Sequence, residues 1–434
     1  MLNAFSPAQE VVDPKLFAGR RDQVMQLSDA LRTAGSCPVI YGDRGLGKTS
    51  LAVQCQLIAM GSDELLIKLG AKDWALEDHE TFLTFFVNCS DEVRNFAELQ
   101  RRILNAFRDF VIQGEANSGK RVLVDRQTKR KLSFKVFEVE QTSNYDHRAS
   151  ELREEDLSLT EQVEREAELL KVCYNQPVLV VIDELDRVGD TRGMASFLKA
   201  MSGSNLKFLL VGIAQSLSDL DLDHPSVERQ LWPVNVPRMR KDELVEVVNR
   251  AIANLAELDL HYKFTSNALD RLIDAAFGFP WFVHVIGQSA LVKALNSSVH
   301  EIPSDLLQQA IEGLVTNKFA QRFRDDYQLA IRDSYNREVV LRIFAAWRDS
   351  DIPTLDVYAV CKKLGVSNPA LYKGHLCSER YGKPLMNPGF QERGLIRFRN
   401  EMFKQYVNLT RSLYTNVDEE VRDAAKTAWR IGER

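Results

Sequence analysis

The sequence predicts an α/β fold: a parallel sheet sandwiched by helices over residues 1–237, then a helical stretch, then a small helix-turn-helix unit with a β wing. Three observations carry that reading. Short apolar, β-branched runs alternate with amphipathic stretches through the first part of the chain, the pattern of a sheet buried on both faces. A glycine-rich turn follows the first of those runs and opens a helix. Beyond residue 237 the apolar residues recur at intervals of three and four, as on a helix face.

Five runs are the predicted strands: "CPVIYG" (37–42), "TFLTFFVNC" (81–89), "PVLVVID" (177–183), "KFLLVGIA" (207–214) and "QLWPVNVP" (230–237). The interval between the second and third is far longer than a βαβ crossover requires. It begins with the expected helix, "RNFAELQRRILNAFRDF", and then holds a basic run, "KRVLVDRQTKRKLSFK", and an acidic one, "ELREEDLSLTEQVEREAELL". We read an insert at about 113–160, a hairpin followed by a helix. Its basic part, residues 119–135, suits either a nucleic acid or the acidic helix after it. Residues 238–316 are a helical segment and 317–335 a charged linking helix.

Residues 336–411 have the rhythm of a winged helix-turn-helix, with a helical tail over 412–434. "REVVLRIFAAW" spaces Val340, Ile343, Phe344 and Trp347 helically. Pro353 and Thr354 open a second helix that Gly365 stops. In the turn "VSNP", Ser367 or Asn368 caps and Pro369 takes the first helical position. "PALYKGHLCSERYG" is then the recognition helix, with Tyr372 and His375 offered to bases or sugars. "GLIRFRNEMFKQYV" is the wing, with Ile396 and Phe398 inward and Arg397 and Arg399 outward. Lys362, Lys363, Lys373, Arg380, Lys383, Arg393, Arg397, Arg399 and Lys404 outnumber Glu379, Glu392 and Glu401, a local basic excess that suits phosphate contacts. The same module also suits docking of a protein.

Net charge is -5 over 434 residues, so no chain-wide basic field advertises nucleic acid. Six scattered cysteines form no CxxC pair, which argues against a zinc site and for a reducing compartment. With no signal-peptide pattern at the start and no apolar run approaching the ~20 residues of a membrane span, the expectation is a cytoplasmic protein without membrane contact.

Gly42, Asp43, Arg44, Gly45, Leu46, Gly47, Lys48 and Thr49 spell G-x-x-x-x-G-K-T between a strand and a helix, followed by Ser50. In that context the motif is a phosphate cradle. Its glycines let backbone N–H groups curl around phosphate oxygens, Lys48 neutralises the β and γ phosphates, and the Thr49 hydroxyl ligates Mg²⁺. Hydrolysis further needs a metal-orienting carboxylate and a group to position water. "VLVVIDELD" places Asp183 at a strand end for the metal and Glu184 beside it for the water. The expectation is an ATPase whose cofactors are ATP and Mg²⁺.

"LFAGRRDQVMQL" (16–27), the G-x-x-x-x-G-K-T loop and "IDELD" with Asp186 resemble the AAA+ and STAND ATPases, and within them the origin-recognition branch, over roughly residues 12–316. The resemblance implies a P-loop sheet in the order 5-1-4-3-2, with Phe17, Gly19 and Arg20 packed on the adenine. It implies a polar γ-phosphate sensor in "GIAQS", for which Gln215 is preferred over Ser216, and an arginine finger, Arg229, completing a neighbour's site in a homo-oligomer. Where many AAA+ proteins carry a lid arginine, this chain has Trp281, after Gly278, Phe279 and Pro280. That G-x-P form resembles the STAND lid, which places Pro280 near the nucleotide base and implies slow turnover, with ATP locking an assembled state and hydrolysis to ADP resetting it. Two functions follow. One is an initiator- or transposition-regulator-like ATPase acting on double-stranded DNA. The other is a STAND-type switch of phage defence that binds a separate effector protein.

Overall fold

β1 (Cys37–Gly42), β2 (Leu83–Asn88), β3 (Val178–Asp183), β4 (Leu206–Ile213) and β5 (Leu231–Asn235) form one sheet, in the order β2-β3-β4-β1-β5. All its pairings are parallel, and its order is the expected 5-1-4-3-2 read from the other edge. The computed structural model describes residues 4–89, 93–117, 157–201, 205–213, 229–316, 318–347, 349–387 and 394–410. The basic insert at 119–135, Gln215, Ser216 and the tail at 412–434 lie outside them. The chain divides into an α/β unit, Val11–Gly42 with Lys48–Pro237, and a second unit, Met1–Glu10 with Asp43–Gly47 and Arg238–Arg434.

In the α/β unit every residue of β3 is buried, while the edge strands β2 and β5 are buried only in part. The edge position of β5 also tolerates Pro233, which cannot donate to a ladder. Around the sheet lie α1 (Arg21–Arg32), α2 (Lys48–Ala59), α3 (Glu64–Lys68), α4 (Phe96–Asn117), α5 (Leu159–Tyr174) and α6 (Met194–Met201). Their apolar faces meet it in an aromatic core: Phe85 stands edge-on to Phe107 at 4.7 Å, and Phe197 lies 5.3 Å from Phe208. Ser158 and Glu161 form a reciprocal capping box that starts α5. Lys207 on β4 caps the end of α1, donating to the carbonyls of Ala30, Leu31 and Thr33 at 2.7–2.9 Å. Burial lowers its pKa to about 8.

The second unit holds α7 (Lys241–Glu257), β6 (Lys263–Phe264), α8 (Ser266–Ala276), α9 (Pro280–Asn296), β7 (Glu301–Ile302) and α10 (Ser304–Glu312), with β6 and β7 paired in parallel. Residues from the chain start are stapled to α9. Trp281 Nε1 donates to the Pro7 carbonyl at 3.1 Å, Gln288 to that of Phe5 at 3.1 Å, and His284 Nδ1 accepts from the Ser6 amide at 3.2 Å. A Cβ on Gly287 would fall 2.6 Å from the Phe5 ring, so only glycine admits that ring here. His284 is thus a packed histidine, and burial lowers its pKa to about 4.

Further along are α11 (Gln321–Ile331), α12 (Tyr335–Ala346), β8 (Ile352–Pro353), α13 (Thr354–Lys363), α14 (Pro369–Leu376), β9 (Leu385–Met386), β10 (Leu395–Phe398) and α15 (Glu401–Leu409). The three strands pair antiparallel as β8-β10-β9. Asn368 caps α14, accepting from the Leu371 amide, with Pro369 first in the helix as expected.

Four expectations are corrected here. The second half of the expected wing is helical: Asn400 Oδ1 accepts from the amides of Met402 and Phe403 and starts α15. Tyr372 and His375 turn inward, Tyr372 Oη accepting from Asn336 at 3.1 Å and His375 stacking on Tyr381 at 5.1 Å. Arg397 pairs with Asp351, with one contact at 2.8 Å. Lys404 is buried at 1% side-chain exposure, so it is no phosphate contact.

Candidate nucleotide site

β1 ends at Gly42 and α2 begins at Lys48, so the motif is the loop between a buried strand and a helix. Gly45 and Gly47 have φ of +79° and +87°. A side chain there would be strained, which is why this loop needs glycine at both. The helix directs its positive end toward whatever the loop holds.

At the other side of the site in the α/β unit stands the end of β3. Thr49 Oγ1 donates to Asp183 Oδ2 at 2.8 Å, and the Glu184 amide donates to Asp183 Oδ1 at 2.8 Å. Asp183 is 3% exposed and Lys48 8%. Burial pushes the Asp183 carboxyl above its usual range, while Thr49, the Glu184 amide and the charge of Lys48 pull it back. A hydroxyl and a carboxylate are the hard oxygen donors that Mg²⁺ takes. Octahedral coordination at 2.0–2.1 Å holds adjacent ligand oxygens about 3 Å apart, close to the spacing Thr49 and Asp183 already have. The residues therefore fit the ion.

Glu184 has φ 57° and ψ 39°, left-handed backbone on a residue with a Cβ. Its carboxylate pairs with Arg187 at 3.1 Å. Asp186 Oδ1 accepts from the Ile213 amide at 2.8 Å and so fastens the end of β4 to the turn after β3. Arg187 and Asp186 had no role in the sequence argument beyond the motif's second acid. The signal was present in "DELDR", where Arg187 follows Glu184 by three positions.

The other expected site residues are placed as follows. Phe17 and Arg20 are buried, and Arg20 Nη1 donates to the Pro237 carbonyl at 2.6 Å. Gly19 has φ 61° in the turn before α1. Ser50 Oγ accepts from the Val11 amide at 3.0 Å, which ties the incoming chain to α2. Arg44 is exposed on the loop, and Leu46 is buried. In the second unit Pro280 opens α9, and a Cβ on Gly47 would stand 4.0 Å from its ring. Arg229 is exposed just ahead of β5.

No protein-family model matches the chain, and no curated protein sequence does. Among solved structures, the ORC2 protein of Aeropyrum pernix in its ADPNP-ADP complexes matches with TM-score 0.50 at 13% identity, over 99% of this chain and 98% of that one. The chain has the AAA+ P-loop fold. Weaker likenesses join it. The A. pernix ORC1 protein in complex with DNA has TM-score 0.44 at 15% identity, over 99% and 97% of the two chains. The Thermotoga maritima RuvB Holliday junction branch migration motor has TM-score 0.40 at 15% identity, over 88% and 93%. Within the α/β unit, Gly42 and the acids at 183 and 184 stand at the carboxyl ends of β1 and β3, parallel strands with β4 between them, where open α/β sheets bind their ligands.

Proposed function

We propose that this chain binds and hydrolyses ATP with Mg²⁺, self-assembles, and uses nucleotide state to control a C-terminal winged helix acting on double-stranded DNA. The observation that carries the ATPase reading is the 2.8 Å contact between Thr49 and a buried Asp183, with Lys48 beside them. The ORC2 protein of like fold holds ADPNP and ADP, the nucleotide class assigned here. Loop amides and Lys48 hold the polyphosphate. Thr49 and Asp183 are the residues that would hold Mg²⁺, which when bound neutralises phosphate charge. Glu184 turns from Arg187 to polarise the attacking water. Gln215 senses the γ-phosphate, and Arg229 reaches a neighbour's site. Lid, linker and winged helix are assigned to 238–316, 317–335 and 336–411.

Equilibrium dialysis with ATP, ADP and Mg²⁺ tests the reading. Lys48→Ala is expected to lose binding by about 10²-fold or more, as removal of a charge-assisted phosphate contact does. Glu184→Gln is expected to keep binding and lose turnover. Wild-type turnover by Glu184→Gln would remove the assigned role, and no binding by the native chain would remove the function.

For the winged helix, Lys362, Lys363 and Arg399 remain exposed cations. Affinity for random duplex is expected to fall steeply with salt, the slope shrinking by about one for each phosphate contact removed by mutation. A second reading, docking of an effector protein, is favoured by Leu355 at 77% and Leu371 at 50% exposure on α13 and α14. Salt-independent behaviour and no effect of charge reversal at the three cations would decide for it.

A further inference from the structure

The exposed positions of α14 are Ala370, Leu371 and Gly374, and none of them carries a side-chain hydrogen-bonding group. With Tyr372 and His375 turned inward, the exposed face of this helix offers base edges nothing to bond. Cations gather instead where α11 ends and where the chain turns from α14 toward β9. The guanidinium carbons of Arg337, Arg332 and Arg380 lie 4.1, 5.2 and 5.8 Å from the centre of one ring, that of Tyr381.

The three arginines differ in what they have left to give. Arg337 is 6% exposed, and it donates to the carbonyls of Ala330 at 2.8 Å and Ile331 at 2.5 Å. It holds the end of α11. Arg332 and Arg380 are exposed. Among the described residues no carboxylate is paired with any of the three, and Glu379 in the same turn lies 3.2 Å from Lys383. Burial lowers the Arg337 pKa; Tyr381 opposes that, and the like charge of Arg332 adds to it.

Both exposed arginines are rooted in fixed turns. Arg332, Asp333 and Lys383 have φ of 39°, 55° and 46°, left-handed backbone on residues with a Cβ. Such backbone persists only where its surroundings over-determine it. Between Arg380 and Lys383, Gly382 packs on α11 so closely that a Cβ would stand 3.1 Å from Leu329. Cations brought together without an acid repel one another, and an anion relieves that repulsion. The planar guanidinium fork matches phosphate oxygens in pairs. Tyr381 is already stacked with His375 and Arg337, so its ring is taken, and the anion that fits is a backbone phosphate rather than an unstacked nucleotide.

We propose that Arg332 and Arg380 form a phosphodiester clamp that seats the backbone of double-stranded DNA at the end of α11, off the exposed face of α14. The proposal rests on the DNA reading above. It names a contact for it and adds Arg332, which lies outside the basic stretch 362–404.

The test is titration of random duplex with the full chain across a salt series, with poly-glutamate as competitor. Arg332→Gly, which suits the left-handed backbone, and Arg380→Gln are each expected to shrink the salt slope by about one and to weaken binding about tenfold. Arg332→Lys keeps the charge and loses the fork, so its slope is expected to stay native while affinity falls a few-fold. Duplex is also expected to protect Arg332 and Arg380 of the native chain from phenylglyoxal, a readout that needs no variant to fold. Native slope and affinity in the double variant, or no protection, would overturn the clamp and leave the DNA reading in place. Poly-glutamate displacing duplex at equal charge would assign the cluster to an acidic protein and overturn the clamp as well. Absence of salt-dependent duplex binding by the native chain would overturn both.

Discussion

Glu184 carries left-handed backbone at the residue assigned to activate water. For a residue with a Cβ that conformation costs about 1–2 kcal/mol. The turn tolerates it because Asp183 accepts the Glu184 amide and Asp186 holds the neighbouring strand. The strain aims the carboxylate, and Arg187 then holds it at 3.1 Å. Both partners are about one-third exposed, so the pair is worth only about 0.5 kcal/mol. Breaking it should therefore raise the population of Glu184 released from Arg187 about two-fold, not a hundredfold. Arg187→Ala is expected to increase kcat about two-fold at unchanged nucleotide affinity in a steady-state assay. A tenfold fall would show that Arg187 contacts the reacting phosphate instead.

At the scale of elements, what was legible in the sequence was what burial writes into it. β1 and β3 are covered on both faces, so their runs are continuously apolar and stand out. The motif of residues 42–49 is legible because its glycines answer a local backbone demand. α15 was read as wing because no glycine or proline separates it from β10, and the cap that starts it is a single asparagine. Tyr372 and His375 were read as outward because a short helix gives too few turns to reveal which face is covered. The fit of Phe5 against Gly287 was not legible at all, since it joins residues 282 positions apart. The same contact region yields a prediction for α9. His284 is neutral in the fold, its pKa lowered from 6.5 to about 4 by burial. A base with a lowered folded pKa stabilises fully above its unfolded pKa, and that stability is lost as pH falls from 6.5 toward 4. Between pH 7 and 5 the loss is about 2 kcal/mol, at 1.36 kcal/mol per pKa unit over the 1.5 units crossed. Urea unfolding of the native chain is expected to show it. His284→Gln, which keeps an acceptor for the Ser6 amide, is expected to flatten the slope. An unchanged slope in that variant would place the acid sensitivity elsewhere.

At the scale of the whole molecule, the question is whether one copy of the chain contains a complete site. Arg229 is exposed, yet its backbone is anchored one residue on, where the Cys37 amide donates to the Gln230 carbonyl at 2.7 Å. A fixed backbone with an exposed side chain is what a group serving another subunit requires. If it does serve a neighbour, two defective chains can repair each other. Arg229→Ala retains an intact site and lacks the finger, whereas Glu184→Gln lacks the water-polarising group and retains the finger. Each alone is expected to lose about 10²–10³ in turnover, the range for removing one group that stabilises developing charge. Mixed in equal amounts, random head-to-tail pairing puts the good site against the good finger at about a quarter of interfaces, so about a quarter of native turnover should return. Recovery should also rise with protein concentration. A mixture no more active than its components would place Arg229 in its own subunit's site or outside catalysis altogether.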